Sequence, residues 1–479
     1  MWSQNLIPVS PSVNSVPRTT HEDVQDRTAI QHDAAPHYDA TTTILVPFHD
    51  VPVVVSATRS NDIVERDDGS WITDIFLQEV LQTIHPGQEI SVVNKDIQLA
   101  VGKGENYLSI IYRVEVQYKR GNTGNIENHH LILKGYPNCD FITKFITELG
   151  VFDRELSIYQ SALTAIYTFA EERFQRDQIP YITSKSFKTS RPNTVVLEDL
   201  KYQGFRMANR KAMLDLQHCF TVVRNLAHLH GMSGALHNHN PDILSQYDNV
   251  VFGKRNKPYL DNFLPEQMRI LSKAIKTWSG FETYAAKLEK LIPEYSDKLV
   301  DICTPQPGGF HVLTHGDCWI NNYLFKYSSI GEPTDVRFVD FQLSCLGSPA
   351  TDLTYFLYSS SQNEVRASRL DEVLKMYHTQ LCETLAALGS NPEVFGFQDL
   401  KNEMKRVALC GLYAATTVLA GVVGDAEEKE EEAPDMAELT EERMSKEEKN
   451  PWEKHKNNPR FREALQQMLP HFDEIGVFD

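Results

Sequence analysis

The stretch His315–Asn322 reads HGDCWINN, and the stretch Val339–Gln342, a little further along the chain, reads VDFQ. Together they supply a carboxylate at Asp317, a carboxamide at Asn322 and a second carboxylate at Asp340. Phosphoryl transfer depends mostly on positioning an incoming oxygen and on neutralising phosphate charge with magnesium. Magnesium prefers oxygen ligands and takes only one or two of them from the protein. The spacing therefore predicts a phosphoryl-transfer site in which Asp317 faces the acceptor and Asn322 and Asp340 bind magnesium.

The residues before each polar stretch have the composition of a short strand. Phe310–Thr314 and Asp335–Val339 are rich in β-branched and aromatic residues. Each polar stretch is therefore expected at the carboxyl end of a strand. An isolated Asp or Asn in a loop is usually a turn former, because its side chain bonds to the nearby backbone. The occurrence of both stretches in order, each after a strand, favours the phosphoryl-transfer interpretation.

The composition indicates a globular enzyme with more than one lobe. The chain has 479 residues, which exceeds what one hydrophobic core usually supports, and 41% of them are hydrophobic. The seven cysteines are scattered and form no CxxC or His–Cys cluster, so neither a disulfide framework nor a zinc site is expected. A reducing compartment is the corresponding expectation, and the cytoplasm is the predicted location.

The sequence has no pattern typical of a secretory signal or of a membrane span. The longest apolar run, Val407–Val423, contains two threonines and is shorter than the ~20 residues of a membrane helix, which favours a buried core helix. The net charge of −18 is concentrated in Asp425–Lys449, which has 12 acidic and 4 basic residues. Since no basic stripe compensates this charge, nucleic acid is not an expected partner.

Two segments lack the periodicity of packed elements. Residues 1–68 carry scattered Pro, Ser, Thr, Asn and His, and residues 425–455 combine low hydrophobicity with dense like charge. Chains of this composition bury too little apolar surface to offset their loss of conformational entropy on folding. Both segments are therefore predicted to be disordered. Ile44–Val55 is an exception, because it is apolar although Pro47 and Pro52 interrupt it, and it is a candidate edge strand or an apolar linker.

A glycine-rich bend is predicted between two alternating strands near residue 100. Gly102 and Gly104 lie at this bend. Because glycine has no Cβ, backbone amides in such a bend can approach phosphate groups closely. Most glycine turns bind no ligand, so the bend alone does not establish a phosphate site.

Lys134 and Glu155 are predicted to form a buried ion pair. Lys134 ends the apolar strand Leu131–Lys134, and Glu155 lies on the otherwise apolar face of a helix within Phe152–Tyr159. A charge on such a face is costly unless it is paired. A lysine at a strand end is more often a solvated edge residue, but its position between a glycine bend and an acid-bearing helix favours a pair that anchors nucleotide phosphates.

The segment Asn193–Leu200 is a candidate connection between two lobes. It is an apolar strand that ends in acidic residues, and helical periodicity follows it. Backbone groups of such a connector can bind adenine, which makes Glu198 and Leu200 candidate nucleotide-binding positions.

Taken together, these residues resemble the ecdysteroid kinase-like family, a group related to choline and aminoglycoside kinases. The resemblance spans roughly residues 95–423, and Phe461–Phe478 is similar to the closing helix of the family. The matching segments are Gly104–Tyr107, Lys134, Phe152–Tyr159, Val196–Leu200, Leu226–His230, His315–Asn322, Asp340–Gln342 and Ser348–Leu353.

The resemblance implies an α+β, bilobal, protein-kinase-like fold. The implied N-terminal lobe at 69–198 consists of an antiparallel sheet and a helix, and the implied C-terminal lobe at 199–424 is mainly helical. A helix within 456–479 is expected to pack on the C-terminal lobe after the acidic segment.

The resemblance also implies roles for single residues. Asp317 is similar to the catalytic base of the family, and Asn322 and Asp340 are similar to its magnesium ligands. Lys134 and Glu155 resemble the pair that anchors the phosphates of ATP. The other nucleotide-binding positions that it implies are Gly102, Gly104, Asn106, Ser109, Glu198 and Leu200.

His315 and Asp352 resemble residues that support the catalytic loop.

Two features separate the chain from protein kinases. Gly316 stands where protein kinases have an arginine that receives an activation-loop phosphate. Asp352 follows Asp340 so closely that a long activation loop has no room. A peptide substrate is therefore disfavoured, and a small molecule is expected.

The predicted function is that of a phosphotransferase with an alcohol group as acceptor and with ATP and Mg²⁺ as cofactors. The resemblance implies an ecdysteroid-like or xenobiotic alcohol as the substrate, with detoxification as a candidate role. The alternatives are a choline- or ethanolamine-type kinase, another small-metabolite kinase, and a non-catalytic module that binds a nucleotide or hormone. A choline-like cation would require an acidic and aromatic cage, and the sequence does not separate these possibilities.

Overall fold

The computed structural model describes residues 69–100, 109–121, 124–136, 143, 147, 149–174, 178–424 and 457–479, together with two strands before residue 69. These strands, β1 (Thr43–Phe48) and β2 (Val51–Ser56), pair as an antiparallel hairpin. The rest of the predicted N-terminal extension and the whole of the predicted acidic segment, 425–455, lie outside the described residues. The described residues belong to one unit, Thr42–Asp479.

Five of the described strands form an antiparallel sheet. Its strands are β3 (Ile90–Leu99), β4 (Ile110–Arg120), β5 (Glu127–Gly135), β6 (Ser186–Phe187) and β7 (Thr194–Glu198). Their order is β3–β4–β5–β7–β6. Buried and half-buried side chains alternate along β4, as expected for a strand that is covered on one face.

Helix α1 covers one face of this sheet. It begins after Thr73, whose hydroxyl accepts a hydrogen bond from the backbone N–H of Phe76 and so caps the helix. Its apolar face packs on the buried side chains of β4 and β5, and the two elements share one hydrophobic core. The bounds of α1 are Asp74–Ile84, and its buried residues are Phe76, Leu77, Val80 and Leu81.

A second helical segment lies on the opposite face of the sheet. It consists of α2 (Val151–Ser157), a π-helical turn (Ile158–Ala162) and α3 (Leu163–Glu171). Along β5, Leu131 and Leu133 belong to the core under α1, whereas Ile132 packs against the larger core on the other side. Because side chains alternate along a strand, Lys134 shares the face of Ile132 and reaches α2.

A short connector leads from β7 into a mainly helical lobe. The connector contains a 3₁₀ turn at Leu200–Gln203. The helices of this lobe are α4 (Leu216–His239), α5 (Asp242–Ser245), α6 (Lys257–Ile275), α7 (Glu282–Leu291), α8 (Tyr295–Cys303), α9 (Pro349–Ser360), α10 (Asn363–Ser368), α11 (Leu370–Ala387), α12 (Phe397–Arg406), α13 (Ala408–Tyr413) and α14 (Leu419–Val423). A π-helical turn at Ala414–Val418 joins α13 to α14, and further 3₁₀ turns lie at Arg210–Ala212, Lys254–Asn256, Ile292–Glu294, Ile320–Asn322 and Pro392–Val394. The strands of this lobe are β8 (Arg206–Met207), β9 (Val312–Thr314), β10 (Tyr323–Tyr327), β11 (Pro333–Phe338) and β12 (Cys345–Gly347).

Two small antiparallel sheets carry the polar stretches HGDCWINN and VDFQ. Strand β9 pairs with β12, and β10 pairs with both β11 and β8. The stretch that begins at His315 follows β9, and Asp340 lies shortly after β11, so both predictions of a preceding strand are confirmed. The pairing of β10 with β11 brings Asn322 next to Val339, whose N–H donates to the carbonyl of Asn322 at 3.1 Å.

The last described helix, α15 (Pro459–Glu474), packs on the C-terminal lobe. It buries an apolar stripe that includes Phe461, Leu465 and Phe472. Asn458 caps its first turn, and the Nδ2 of Asn458 also lies 3.4 Å from the carbonyl oxygen of Val423 at the end of α14. The chain therefore leaves α14 and enters α15 at the same place in the lobe.

The apolar run Val407–Val423 forms α13, the π-helical turn and α14, and its side chains are buried in the lobe. The prediction of a buried core segment agrees with this burial. No single helix in the described part of the chain is long and apolar enough to cross a membrane, whereas the pair Pro392–Arg406 and Ala408–Val423, bent by 54°, meets the same criteria of length and composition.

The element order confirms the α+β, bilobal, protein-kinase-like fold. An antiparallel sheet with a helix on each face precedes a mainly helical lobe. The strands on both sides of the predicted glycine bend pair with each other, Leu99 opposite Tyr112. The boundaries assigned to lobes and disordered segments remain predictions.

Candidate active site

Asp317 is buried in the loop between β9 and β10, where both of its carboxylate oxygens accept hydrogen bonds. The Tyr355 hydroxyl donates to Oδ1 at 2.8 Å, and the Asn322 Nδ2 donates to Oδ2 at 2.9 Å. The same Nδ2 donates to the backbone carbonyl of Asp317 at 3.0 Å. These contacts fix the orientation of the carboxylate and close the loop between residues 317 and 322.

Asp352, in the first turn of α9, supports the backbone of this loop. Its Oδ2 accepts the N–H of His315 at 2.6 Å, and its Oδ1 accepts the N–H of Gly316 at 2.9 Å. The Nε2 of His230 also lies 3.1 Å from Oδ2, and the Nδ1 of His230 lies 2.9 Å from the Tyr377 hydroxyl. Burial opposes ionisation, but the hydrogen bonds and charge of the surrounding groups, His230 first, hold the pKa of Asp352 below its usual value.

The His315 ring connects the loop to the segment that leads to Asp340. Its Nε2 donates to the carbonyl of Val339 at 3.0 Å, and its Nδ1 accepts the N–H of Asp317 at 3.3 Å. Both ring nitrogens are thus used to hold backbone. The geometry agrees with the predicted supporting role of His315 and gives it no free nitrogen for proton transfer.

Gly316 occupies a position that accepts no side chain. Its φ is +81°, in the left-handed region that favours glycine, and a Cβ on Gly316 would lie 2.2 Å from the carbonyl oxygen of Leu343. An arginine at this position would therefore require the backbone of both segments to move. This packing gives a physical reason for the departure from the protein-kinase pattern.

Lys134 meets two carboxylates from separate elements. Its Nζ lies 2.7 Å from Oε2 of Glu155 on α2 and 2.9 Å from Oδ1 of Asp340. Lys134 and Glu155 are both buried, whereas the side chain of Asp340 is 23% exposed. The structure thus brings the predicted pair together and adds Asp340 to it, which joins the sheet to the end of β11.

The pKa values of this cluster shift because burial and charge act against each other. Burial alone would lower the pKa of Lys134, but the carboxylates of Asp340 and Glu155 outweigh it and raise that pKa above its usual value. Burial raises the pKa of Glu155, Lys134 lowers it, and Asp340 adds to the increase. The Glu155 carboxylate therefore depends on Lys134 to remain ionised.

Asn322 and Asp340 present oxygen donors of the kind that magnesium prefers. Because the Nδ2 of Asn322 donates to Asp317, its carboxamide oxygen is directed elsewhere. Asp340 has a φ of +68°, a backbone strain that often occurs at functional positions. The described residues contain no group of three or more His, Cys, Asp or Glu that could hold a metal. Two protein ligands still suit a magnesium ion that takes the remainder from phosphates and water.

The connector after β7 offers backbone groups beside the sheet. The carbonyl of Glu198 accepts the Ser184 hydroxyl at 2.9 Å, which leaves its second lone pair available. Leu200 is buried, and Asp199 between them accepts the Nε–H of Arg113 at 2.5 Å and the N–H of Lys201 at 3.0 Å. The Asp199 side chain therefore anchors the connector to β4.

The predicted glycine bend lies largely outside the described residues. Gly102, Gly104 and Asn106 are not among the residues that the structure describes. Ser109 is described, and it is buried directly before β4. The phosphate-binding roles of these four residues remain predictions.

A partly open cavity lies beside the catalytic loop. Gly316 and Tyr355, which flank Asp317 in space, contribute to its wall. Apolar side chains and the thiols of three cysteines make up much of the remainder, and Asp352 is the only charged residue among the described residues that line it. The carboxylate of Asp352 is already bonded to backbone N–H groups, so this part of the wall offers no free negative charge.

Sequence reasoning missed three contacts of this site. They are the hydrogen bond from Tyr355 to Asp317, the pair of His230 with Asp352, and the ion pair of Lys134 with Asp340. Tyr355 follows Asp352 by about one helical turn, so the two share a helix face, and this spacing was a usable signal. The other two contacts join segments that are far apart in sequence, and no local pattern indicates them.

Solved structures similar to this chain include three phosphotransferases. Choline kinase LicA from Streptococcus pneumoniae is 11% identical over 70% of this chain and 94% of that chain, with a TM-score of 0.30. An aminoglycoside phosphotransferase from Alicyclobacillus acidocaldarius is 10% identical over 79% of this chain and 90% of that chain, with a TM-score of 0.31. The AMP-bound spectinomycin phosphotransferase APH(9)-Ia is 14% identical over 66% of this chain and 92% of that chain, with a TM-score of 0.30. No match was found among curated proteins.

A family model matches residues 103–390, which is more than half of the chain. The matched range includes Lys134, Glu155, Asp317, Asn322 and Asp340. By this match the chain belongs to the ecdysteroid kinase-like family.

Proposed function

We propose that this protein is an ATP-dependent small-molecule kinase that transfers the γ-phosphoryl group of ATP to a hydroxyl group. The observation that carries the proposal is the meeting of Lys134 with both Glu155 and Asp340, at 2.7 and 2.9 Å, next to a catalytic loop that holds Asp317. Phosphoryl transfer requires charge neutralisation and positioning more than covalent chemistry, and this constellation supplies both. Membership of a kinase-like family supports the same reaction class.

Lys134 is the group that would contact the nucleotide phosphates. The Nζ of Lys134 already lies in a polar environment between two carboxylates. It can therefore turn toward a phosphate group without crossing an apolar region. Glu155 keeps Lys134 on the face of the sheet that looks toward the catalytic loop. The backbone of Glu198 and Leu200 would bind adenine, and Ser109 with the glycine bend would cover the phosphates.

Asn322 and Asp340 would hold magnesium. A bound magnesium ion would neutralise charge on the phosphate oxygens and orient them. The residues fit this role because one contributes a carboxamide oxygen turned away from Asp317 and the other a partly exposed carboxylate.

Asp317 would accept the proton of the acceptor hydroxyl. Both of its oxygens accept hydrogen bonds, from the Tyr355 hydroxyl and from the Asn322 Nδ2, which hold the carboxylate in place. The orientation of the carboxylate is set by Asn322 and by the backbone contacts of Asp352. Asp317 thereby presents a fixed acceptor for the proton while the new O–P bond forms.

The acceptor would be a small alcohol with an apolar body, such as an ecdysteroid-like or xenobiotic alcohol. The cavity beside the catalytic loop supports this class, because its described wall is largely apolar and the carboxylate in it, on Asp352, is engaged. A choline- or ethanolamine-type cation would instead need free negative charge around it. Phosphorylation would convert such an alcohol into an anion, a change suited to detoxification.

The substrate class is tested by incubating the protein with ATP and magnesium and a panel of steroids, phenolic glycosides and choline. Each alcohol is then analysed by mass spectrometry for the gain of one phosphate. We expect product with at least one apolar alcohol and none with choline. If no alcohol gains phosphate while ATP still binds, the protein is a nucleotide- or hormone-binding module instead.

The mechanism is tested with Asp317→Asn. This variant should lose turnover by about 10²- to 10⁴-fold, the usual contribution of a general base, while ATP affinity in a calorimetric titration is retained. Asp248→Asn, at a largely exposed residue that pairs with Arg154, is a matched control that should turn over normally. Undiminished turnover in Asp317→Asn would remove the proposed base.

A further inference from the structure

Helix α9 contacts the catalytic loop through Asp352 and Tyr355, about one turn apart, and again through Ser360, whose Oγ accepts the N–H of Ile320 at 2.9 Å. Asp352 accepts the N–H groups of His315 and Gly316, and Tyr355 donates its hydroxyl to Asp317. Residues at this spacing project from the same face of a helix. One rigid element therefore supports both the backbone of the loop and the carboxylate that the loop carries.

The Tyr355 hydroxyl donates to a buried carboxylate. Tyr355 is 8% exposed and Asp317 is 0% exposed. Burial, followed by the charge of Asp317, raises the pKa of Tyr355 well above its usual value, so the hydroxyl keeps its proton and donates it to Oδ1. A buried carboxylate is costly unless donors replace its lost hydration, and Tyr355 supplies one of those donors.

Tyr355 is also the link between Asp317 and the cavity. It lines the cavity wall, whereas Asp317 itself is not part of that lining. The ring of Tyr355 lies 6.4 Å from the ring of Tyr413, which is another wall residue. An alcohol in the cavity would thus meet the Tyr355 hydroxyl next to the oxygen of Asp317 that must take its proton.

We propose that Tyr355 is a positioning residue that orients the Asp317 carboxylate toward the hydroxyl group of an acceptor bound in the cavity. This inference rests on the proposed function, because it needs Asp317 as the proton acceptor. The Tyr355 hydroxyl and the acceptor hydroxyl can share Oδ1, since a carboxylate oxygen has more than one lone pair. Tyr355 acts through Asp317 and makes no bond to phosphate.

Several other polar groups surround Asp317. His315 contacts its backbone N–H, and the charge of Asp317 acts on the buried side chains of Cys318, Tyr323 and Tyr413 as well as on Tyr355. Asp352 lies on the same helix face as Tyr355 and carries a second negative charge. Replacement of Tyr355 with Phe changes none of these groups, which isolates the effect of one hydroxyl.

The test compares Tyr355→Phe with the unaltered protein. The alcohol is the one that gains phosphate in the panel, and ADP release with ATP and magnesium alone is followed in parallel, with water as the acceptor. We expect kcat to fall by about tenfold or more, because hydrogen bonds to charged groups are among the stronger ones. KM for ATP should stay within about twofold, since Tyr355 does not touch the Lys134 cluster. The loss should therefore be confined to kcat.

Tyr358→Phe is the matched control. Tyr358 lies on the same helix, is also buried, and its hydroxyl lies 2.7 Å from the Nε2 of His471 on α15, so it loses a comparable hydrogen bond away from Asp317. Thermal unfolding of both variants verifies that each is folded. Tyr358→Phe should leave both kcat and the KM for ATP unchanged.

Three outcomes would overturn the inference. They are an unchanged kcat in Tyr355→Phe, a loss of kcat that is matched by a rise in the KM for ATP, and an equal effect of Tyr358→Phe. The variant Asp317→Asn distinguishes a failure of this inference from a failure of the proposed function. If Asp317→Asn is inactive while Tyr355→Phe behaves like the unaltered protein, only the role of Tyr355 is lost. If Asp317→Asn is active, the proposed base is lost as well.

Discussion

The two sides of the candidate active site are held by different interactions. On the nucleotide side, the Lys134 ammonium is shared between Glu155 and Asp340, which come from separate elements. On the acceptor side, a single helix holds the loop through Asp352, whose oxygens accept backbone N–H groups at 2.6 and 2.9 Å. A shared ammonium can change partners when phosphate or metal charge arrives, whereas the backbone N–H groups are fixed by the fold to a buried carboxylate. The comparison indicates an adaptable nucleotide side and a fixed acceptor side.

The largest loss of stability is expected for Asp352→Ala, which removes the carboxylate that holds the acceptor side. In Asp352→Ala, the N–H groups of His315 and Gly316 and the His230 ring lose their buried acceptor. Loss of one partner from a buried charged network should lower the free energy of unfolding by about 3–5 kcal/mol, which urea denaturation measures. Turnover should be lost with it.

The control for this variant is Asp371→Ala. Asp371 is exposed and pairs with Lys401 and Lys375, and exposed ion pairs contribute about 1 kcal/mol or less. If Asp352→Ala were as stable as Asp371→Ala, the acceptor side would not be fixed by Asp352.

The next effect in size is expected for Gly316→Ala. The new Cβ would lie 2.2 Å from the carbonyl oxygen of Leu343, at a φ of +81°. Backbone strain and overpacking together should lower the free energy of unfolding by about 3 kcal/mol.

Gly389→Ala separates the two causes, because Gly389 has a similar φ of +71° and open space at the Cβ position. It should lose only about 1 kcal/mol in the same urea titration. Equal losses of unfolding free energy in the two variants would show that the close approach to Leu343 does not destabilise Gly316→Ala.

The nucleotide side is tested by the pH dependence of the free energy of unfolding of Lys134→Met. Burial already raises the pKa of Glu155, and removal of the lysine charge raises it further. Above the usual value near 4.5, the folded variant then holds a proton that the unfolded chain releases, so the free energy of unfolding falls as pH rises. Because Glu155 already has a pKa raised to about 7 beside Lys134, the slope should steepen relative to the unaltered protein above about pH 7, by up to about 1.4 kcal/mol per pH unit.

The double variant with Lys134→Met and Glu155→Gln is the control. The glutamine that it introduces has no proton to bind in this pH range, so the steep slope should disappear while the fold is retained. Parallel slopes for the single and double variants, measured by urea denaturation between about pH 5 and about pH 8, would contradict a pair in which Lys134 keeps Glu155 ionised.

The smallest effect is expected for replacement of residues 425–456 by a short Gly/Ser linker. Asn458 already contacts the carbonyl of Val423 at 3.4 Å, so a short connection spans the two ends without moving α14 or α15. Loop-closure entropy changes slowly with length, and the free energy of unfolding should change by about 1 kcal/mol or less. A larger loss of stability, or loss of turnover, would show that the acidic segment supports the lobe or the site.

The sequence predicted local relations better than long-range ones. The strands before His315 and Asp340, and the apolar helix face that carries Glu155, follow from periodicity, and the structure contains them. The contact of Tyr355 with Asp317 and that of His230 with Asp352 were not predicted. A side chain and its partner on a distant segment leave no periodic trace, because periodicity records only which face of an element is buried.

The sequence by itself determined which chemical groups are present and on which elements they stand. Asp317, Asn322 and Asp340 are oxygen donors after short strands, and hydrophobic periodicity is enough to place them there, because burial of one face decides local conformation. Only the tertiary structure decided which partner each charge takes. Lys134 pairs with Asp340 as well as with Glu155. Tyr355 donates to one carboxylate oxygen of Asp317 and Asn322 donates to the other. Such pairings depend on distances between packed elements, which the sequence does not contain.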